Sequence, residues 1–181
     1  MARTRGPISL LAVLVLGLCS LAFSACGSED KLDIIEGEPV EIGELEYNVL
    51  FTRYLNPDDV EDGAYLEAQP PADPNSLYLG VFIQVENLNE DEKALLPTNL
   101  TVSDTDENTY NALFTESPYA LELGTTVDGG GEIPEPDSVA AEGPIEGSLV
   151  LFQIPDEAAE KRPLKLVIPG LDGPAELELD I

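Results

Sequence analysis

Apolar and polar residues alternate along several short stretches of the chain, which is the pattern of half-buried β-strands. In the clearest stretch, 77–87, one face consists of Leu77, Leu79, Val81, Ile83 and Val85. The opposite face begins with Tyr78 and Phe82 and ends with Gln84 and Glu86. One face is thus wholly apolar and the other only half so. We therefore predict a central strand whose sheet packs on a second sheet.

Alternation, or enrichment in β-branched and aromatic residues, predicts further strands at 40–42, 47–55, 100–104, 110–114, 121–127, 145–155, 164–168 and 175–179. An edge strand is expected to start at Ile34–Ile35, and 155–160 is a turn or a single helical turn. Clusters of Gly, Pro, Asn and Asp predict long loops at 56–76 and 129–144, with Tyr65 and Leu66 holding the first loop to the body of the domain. No stretch shows a helical period of useful length. The pattern predicts an all-β protein with the architecture of an immunoglobulin-like β-sandwich.

The first 25 residues have the order of a secretory signal peptide: a basic start, an apolar run over 8–23, and small residues at Ser24 and Ala25. Cys26 follows at once, as in a bacterial lipobox, although Phe23 stands where Leu is usual. The alternatives are an ordinary signal peptide with a chance cysteine, and an uncleaved membrane helix, for which the apolar run is short. The sequence therefore predicts a lipoprotein signal peptide (1–25), an acylated N-terminus with a polar spacer (26–38) and a β-sandwich (39–181). It also predicts a location on the outer side of the cell membrane, with the acyl chains on Cys26 as anchor.

Composition excludes several functional classes. Eight basic residues against 36 acidic ones give a net charge of −28, which repels nucleic-acid phosphates. The chain has no His, and its cysteines are Cys19, which cleavage would remove, and Cys26, which would carry lipid. The mature chain then has no internal disulfide, no Ser-His-Asp or Cys-His catalytic system, and no usual ligands for zinc, copper or haem. We expect a protein that is not an enzyme and has no cofactor beyond the covalent lipid.

Three segments resemble a known family. Residues 78–87 form a long predicted strand ending in Asn87, and Asp104 and Tyr110 have the spacing of an Asp-x-x-x-x-x-Tyr segment. Residues 147–155 are similar to a Gly-x-Leu-Val-Phe-x-x-Pro strand pattern, with Leu151 as one additional residue. These features resemble the immunoglobulin-like extracellular domains of unknown function found in Gram-positive lipoproteins, which are grouped with the fold of a secreted mycobacterial immunoprotective antigen. The resemblance implies a β-sandwich and no catalytic residues. The insert at 56–76 and the loop at 129–144 depart from that pattern.

Two acidic clusters are weak calcium candidates, and each is more simply explained as a solvated loop. Asp104 and Asp106 begin an Asp-x-Asp-x-Asn sequence, but Thr109 and Thr115 occupy the positions where an EF-hand needs Gly and Glu. The second cluster consists of Asp58, Asp59, Glu61 and Asp62 in the first long loop. Six tyrosines could line a ligand face, although aromatic residues in strands more often form core or cross-strand pairs.

The sequence thus favours a membrane-anchored lipoprotein that acts as a non-enzymatic binding or assembly module of the cell envelope, with an envelope protein or ligand as its unknown partner. The alternative is a calcium-binding structural module that uses the acidic loops.

Overall fold

The computed structural model describes residues 31–181, which form twelve β-strands and two short helices. The strands are β1 (Lys31–Ile35), β2 (Val40–Ile42), β3 (Leu45–Leu55), β4 (Ser76–Asn87), β5 (Ala94–Leu95), β6 (Thr101–Ser103), β7 (Thr109–Leu113), β8 (Thr126–Val127), β9 (Glu132–Ile133), β10 (Ser148–Pro155), β11 (Lys165–Ile168) and β12 (Ala175–Glu178). The helices are α1 (Val60–Tyr65) and α2 (Asp156–Ala159). Within these residues, no helix has the length and apolar character needed to cross a bilayer.

The strands form two layers that share β7. Hydrogen bonds connect them in the order β1-β12-β11-β6-β7-β10-β4-β3-β2, while β9 pairs with β4 and β5 pairs with β8. Residues Thr109–Asn111 of β7 pair with β6, whereas Ala112 and Leu113 pair with β10. The first layer is therefore β1, β12, β11 and β6, and the second is β10, β4, β3, β2 and β9. This arrangement is a β-sandwich, as the strand pattern predicted.

The main core lies between the two layers. The predicted apolar face of β4 supplies Leu79, Val81, Ile83 and Val85, all fully buried. The first layer contributes buried side chains of β6, β11 and β12 to the same cluster: Val102, Leu166, Ile168, Ala175 and Leu177. At about 1.5–3 kcal/mol for each fully buried large aliphatic side chain, this interface is the principal source of stability. The prediction of a central strand packed on a second sheet is confirmed.

A second, smaller core covers the other face of β4. There, Tyr78 and Phe82 are buried under the first long loop, which contributes Tyr65 and Leu66. The Tyr65 ring meets those of Phe82 and Tyr119 edge-on, with centroids 4.9 and 4.7 Å apart. The prediction that Tyr65 and Leu66 hold the loop to the domain is confirmed. The segment is not loop throughout, because α1 forms within it.

The structure differs from the expected strands at several places. No strand was expected at β5, β9 lies within the predicted loop 129–144, and the strand expected over 145–155 begins at Ser148. The strand expected over 121–127 is only Thr126–Val127, because Gly124 has a φ of +76° and turns the chain. Phe114 does not continue β7, which ends at Leu113. The sheet begins at Lys31, since β1 pairs in parallel with β12. The spacer assigned to 26–38 thus contains a strand, and the expected edge strand at Ile34–Ile35 is part of it.

Candidate binding groove

A groove of about 820 Å³ lies where β7 passes from one layer to the other. Its walls come from the segment that follows β7, from residues 120–125, and from the start of β10. Buried side chains of Leu121, Leu149 and Val150 contribute to its lining. A concave surface with an apolar base is the usual form of a ligand site.

Hydrogen bonds to distant segments hold the walls of the groove in place. Leu149 binds residues 119–121 through two backbone hydrogen bonds, from Leu121 N to Leu149 O (2.8 Å) and from Leu149 N to Tyr119 O (2.6 Å). On the other wall, Gln69 Nε2 donates to Phe114 O at 3.1 Å, and Ser117 Oγ donates to Ala64 O at 3.2 Å. The groove therefore depends on α1 and the loop that follows it, which also cover the second core.

The rim of the groove is apolar and acidic. Phe114 is 85% exposed, although it lies beside a buried core. The charged residues of the lining are Glu116 and Glu122, both exposed. An apolar base, an exposed aromatic ring and two carboxylates favour ligands with apolar and cationic groups over anions. The sequence analysis did not predict this site, because it assigned residues 110–114 and 121–127 to strands and made no assignment for the segment between them; the available signals were Ser117-Pro118 and Gly124, which interrupt strands.

A second, smaller groove of about 430 Å³ contains Glu36 and Arg162. The Glu36 carboxylate accepts hydrogen bonds from Thr52 N and Asp180 N, both at 3.1 Å, and thus connects the two layers. Arg162 donates to Ala159 O at 3.0 Å and to Ile181 O, and its guanidinium lies 6.0 Å from the centre of the Tyr54 ring. Because these charged groups already have partners within the fold, we assign this groove a structural role.

The first acidic cluster organises α1 and its surroundings. Asp59 is the N-cap of the helix, and its Oδ1 accepts from Glu61 N (2.9 Å) and Asp62 N (3.3 Å). Asp62 is buried, accepts from Asn56 N at 2.8 Å and forms an ion pair with Arg53. Arg53 Nη1 also lies 3.5 Å from Glu61 Oε1. The remaining candidate, Asp58, donates its backbone N–H to Asn56 Oδ1 at 3.0 Å.

The second acidic cluster contains a buried carboxylate. Asp104 is 5% exposed and accepts hydrogen bonds from Asp106 N (2.9 Å), Asn108 N (3.0 Å), Asn108 Nδ2 (2.9 Å) and Tyr110 OH (3.0 Å). Burial by itself raises the pKa of this carboxyl, but the hydrogen bonds from Asn108, Tyr110 and Asp106 outweigh it and hold the pKa below its usual value. Asp104 and Tyr110, the two ends of the Asp-x-x-x-x-x-Tyr segment, are thus joined in one hydrogen-bonded turn.

Asp106, the exposed member of this cluster, forms an ion pair. Its carboxylate lies 2.9 Å from Lys161 Nζ, and Glu157 Oε1 lies 3.1 Å from the same nitrogen. Both carboxylates raise the pKa of the Lys161 amine. Within residues 31–181, no group of three or more His, Cys, Asp or Glu side chains is arranged to hold a metal ion. Calcium binding by the acidic loops stays an untested alternative, which titration of the protein with calcium can decide.

The tyrosines are divided between the two cores. Tyr47 is buried in the main core, and this burial raises the pKa of its hydroxyl to about 12. Tyr65 and Tyr78 are buried in the second core, and Tyr119 packs against it. In the described part of the chain, no tyrosine lines the larger groove. The predicted lipidation site, Cys26, lies outside the described residues.

Solved structures of low sequence identity share this fold. An uncharacterised β-sandwich protein from Clostridium difficile 630 aligns over 84% of this chain and 95% of that chain, with 13% identity and a TM-score of 0.51. The Bacillus subtilis protein ycdA, described as a candidate lipoprotein, aligns over 80% of this chain but 38% of that chain, with 10% identity and a TM-score of 0.51. MPT63, a secreted protein from Mycobacterium tuberculosis, aligns over 84% of this chain and 98% of that chain, with 11% identity and a TM-score of 0.47, and no conclusion rests on that match.

No family model matches the chain, and no curated protein sequence matches it. The structural matches confirm a likeness to β-sandwich proteins of bacteria at the level of the fold.

Proposed function

We propose that this protein is a lipoprotein anchored to the outer side of the cell membrane through Cys26, and that its β-sandwich is a non-enzymatic binding module. The larger groove is the binding surface in this proposal. The observation that carries the binding role is the exposed Phe114 beside the buried residues of that groove. When a ligand covers an aromatic side chain that was exposed to water beside an apolar base, the burial of apolar surface lowers the free energy of the complex.

Two further observations support the anchor. The sequence up to Cys26 has the order of basic, apolar and small residues that lipoprotein signal peptides share. In addition, one protein with the same fold, ycdA of Bacillus subtilis, is itself described as a candidate lipoprotein. A signal peptide and an extracellular location for this chain follow from the same proposal.

A binding role accounts for the chemistry of the groove better than catalysis does. The chain has no His, and the ionisable side chains that line the groove are Glu116 and Glu122. Two exposed carboxylates without a basic partner in the lining do not form the pair of nucleophile and base that covalent catalysis requires. They do offer two negative charges to a ligand that carries both apolar and cationic groups.

Metabolic labelling with palmitate tests the anchor. We expect the wild-type protein to incorporate label and the Cys26→Ala variant to incorporate none. Labelling of Cys26→Ala would contradict the assignment of the lipidation site.

Capture of envelope components by the purified protein tests the groove. Phe114→Asp should lose what the wild type captures, whereas Val60→Asp, an equally exposed position outside the groove lining, should keep it. Equal capture by both variants would rule out the groove as the binding surface. Both proteins should keep the wild-type circular dichroism spectrum, because both side chains are exposed.

A further inference from the structure

The strand topology places the start of β1 at one end of the sandwich. Lys31, the first residue of β1, is opposite Ala175 of β12, and Ala175 is opposite Ile168 of β11. The loop 169–174, which connects β11 to β12, therefore lies at the end where β1 begins. Leu171, in this loop, is fully exposed.

The second layer contributes two further segments to the same end. A Cβ added to Gly170 would lie 2.7 Å from a methyl group of Ile42, so the loop 169–174 contacts the last residue of β2. Asn87, the last residue of β4, pairs with Leu45, and Leu88 N donates to Glu44 O at 2.9 Å. We call the turn 43–44, the segment 88–99 and the loop 169–174 the tether end. The segment 56–62, the turn 104–108 and α2 form the opposite, distal end.

The chain between Cys26 and the sandwich is short. Cys26 and Lys31 are five residues apart, so their Cα atoms are separated by at most about 18 Å, whatever path the chain takes. In contrast, β4 has 12 residues and spans roughly 40 Å at about 3.3 Å per residue. An acyl chain on Cys26 therefore keeps the tether end near the bilayer while the distal end remains free to rotate about it.

The short connection allows several orientations of the domain, and repulsion between its carboxylates and anionic lipid headgroups makes some of them less favourable than others. The described residues carry 34 of the 36 acidic side chains of the protein, and these lie along both layers and at both ends. Anionic headgroups repel carboxylates that come within a Debye length, about 8 Å at physiological ionic strength. A domain lying on its side brings a whole flank into that range, whereas a domain standing on one end brings only that end. The tether end carries five acidic residues and the distal end nine, so the tether end is the less strongly repelled of the two.

We propose that the sandwich stands on its tether end at the surface of the lipid bilayer, with the distal end pointing away from the membrane. This proposal rests on the lipidation of Cys26 proposed above. The lipid surface then meets the exposed side chains of Leu88, Leu95 and Leu171, which gain from contact with the interface. The larger groove includes Thr98 and Asn99, which belong to the tether end, so its ligand is bound close to the membrane.

Depth-dependent fluorescence quenching on vesicles tests this orientation. The probes are Leu171→Cys at the tether end and Val60→Cys at the distal end, each labelled with one fluorophore on the full lipidated protein. The vesicles contain phosphatidylglycerol, phosphatidylcholine and a lipid with a spin-labelled headgroup. We expect the label at position 171 to be quenched severalfold more strongly than the label at position 60.

Two controls test the proposed orientation and the proposed anchor independently of each other. Inserting about twenty Gly and Ser residues between Asp30 and Lys31 should reduce the difference between the two labels, because a longer flexible linker lets the domain move away from the bilayer. The Cys26→Ala protein should not float with the vesicles. If the wild-type protein also fails to float, both the anchor and the orientation are wrong. If it floats and the two labels are quenched equally, the anchor stands and the orientation is overturned.

Discussion

The buried carboxylate of Asp104 offers a quantitative test of how this fold uses its acidic residues. In the substitution Asp104→Asn, an amide NH₂ replaces one of the two carboxylate oxygens. If Oδ2 is replaced, the new donor faces Asn108 Nδ2 and Tyr110 OH, two groups that donate to that oxygen in the wild type. If Oδ1 is replaced, the new donor faces the backbone N–H groups of Asp106 and Asn108. Neither rotamer preserves all the hydrogen bonds.

The expected cost follows from the number and kind of hydrogen bonds. A hydrogen bond to a charged group contributes about 1.5–3 kcal/mol, and a buried donor left without an acceptor costs about 1–3 kcal/mol. The Tyr110 hydroxyl and the Asn108 amide can reorient and recover part of this. We therefore expect Asp104→Asn to lower the free energy of unfolding by about 2–3 kcal/mol at pH 7. The control Glu107→Gln removes one charge from the same exposed turn and should change it by less than about 0.5 kcal/mol.

The loss of stability caused by Asp104→Asn should become smaller as the pH falls. The folded protein holds the pKa of Asp104 below the ordinary value of 3.8, so the stabilisation is fully present above that value. It is lost as the pH falls through the lower pKa of the folded state, where wild-type Asp104 becomes protonated. Urea unfolding followed by circular dichroism at several pH values measures this. If Asp104→Asn were no more destabilising than Glu107→Gln, or if the difference were the same at pH 7 and pH 2.5, the assignment of this hydrogen-bonded carboxylate would be wrong.

Three further predictions concern the first long loop, 56–76, and the acidic clusters. Tyr65→Ala should lower the free energy of unfolding by about 3–4 kcal/mol, because it leaves a cavity in the second core. Ala68→Gly should raise it by about 0.5–1 kcal/mol, because Ala68 has a φ of +62°, which glycine adopts without strain. Millimolar calcium should raise the melting temperature no more than magnesium at equal ionic strength, because the carboxylates of Asp59, Asp62 and Asp104 already accept protein hydrogen bonds.

Each of these three predictions has a matched control or a result that would contradict it. Val60→Ala, at a side chain that is 94% exposed, should leave stability almost unchanged, and a loss equal to that of Tyr65→Ala would contradict the second core. Ala64→Gly, inside α1, should lower stability by about 0.5–1 kcal/mol; a gain there would contradict the backbone argument for Ala68. A calcium-specific rise that Asp59→Asn or Asp106→Asn abolishes would favour the calcium-binding module instead.

The central strands could be predicted from the sequence because their signal is local. In β4, the apolar side chains of one face recur with the period of an extended backbone, whereas β10 contains a continuous apolar run, and turn-forming residues flank both strands. The shorter strands β5, β8 and β9 have two residues each and no period of their own. They form because segments distant in sequence present unpaired backbone groups to them.

The structural roles of the acidic residues could not be predicted from their spacing. Asp59 and Asp62 occur together in one acidic run, yet one is the N-cap of α1 and the other is the buried partner of Arg53. Which carboxylate becomes buried depends on where α1 lies against the sheet, and that position is determined by the contacts of Tyr65 with Phe82 and Tyr119.

The sequence by itself determined the all-β class, the main core face of β4 and the absence of histidine-based chemistry, and it predicts an anchor at Cys26. All of these depend on composition or on residues within about one strand length of each other. Tertiary structure alone decided the second core, the groove and the tether end. Each of them brings together segments far apart in the chain, such as β7 with β10 and β1 with β12. Such pairings depend on how the two layers pack, and no local pattern of residues encodes that.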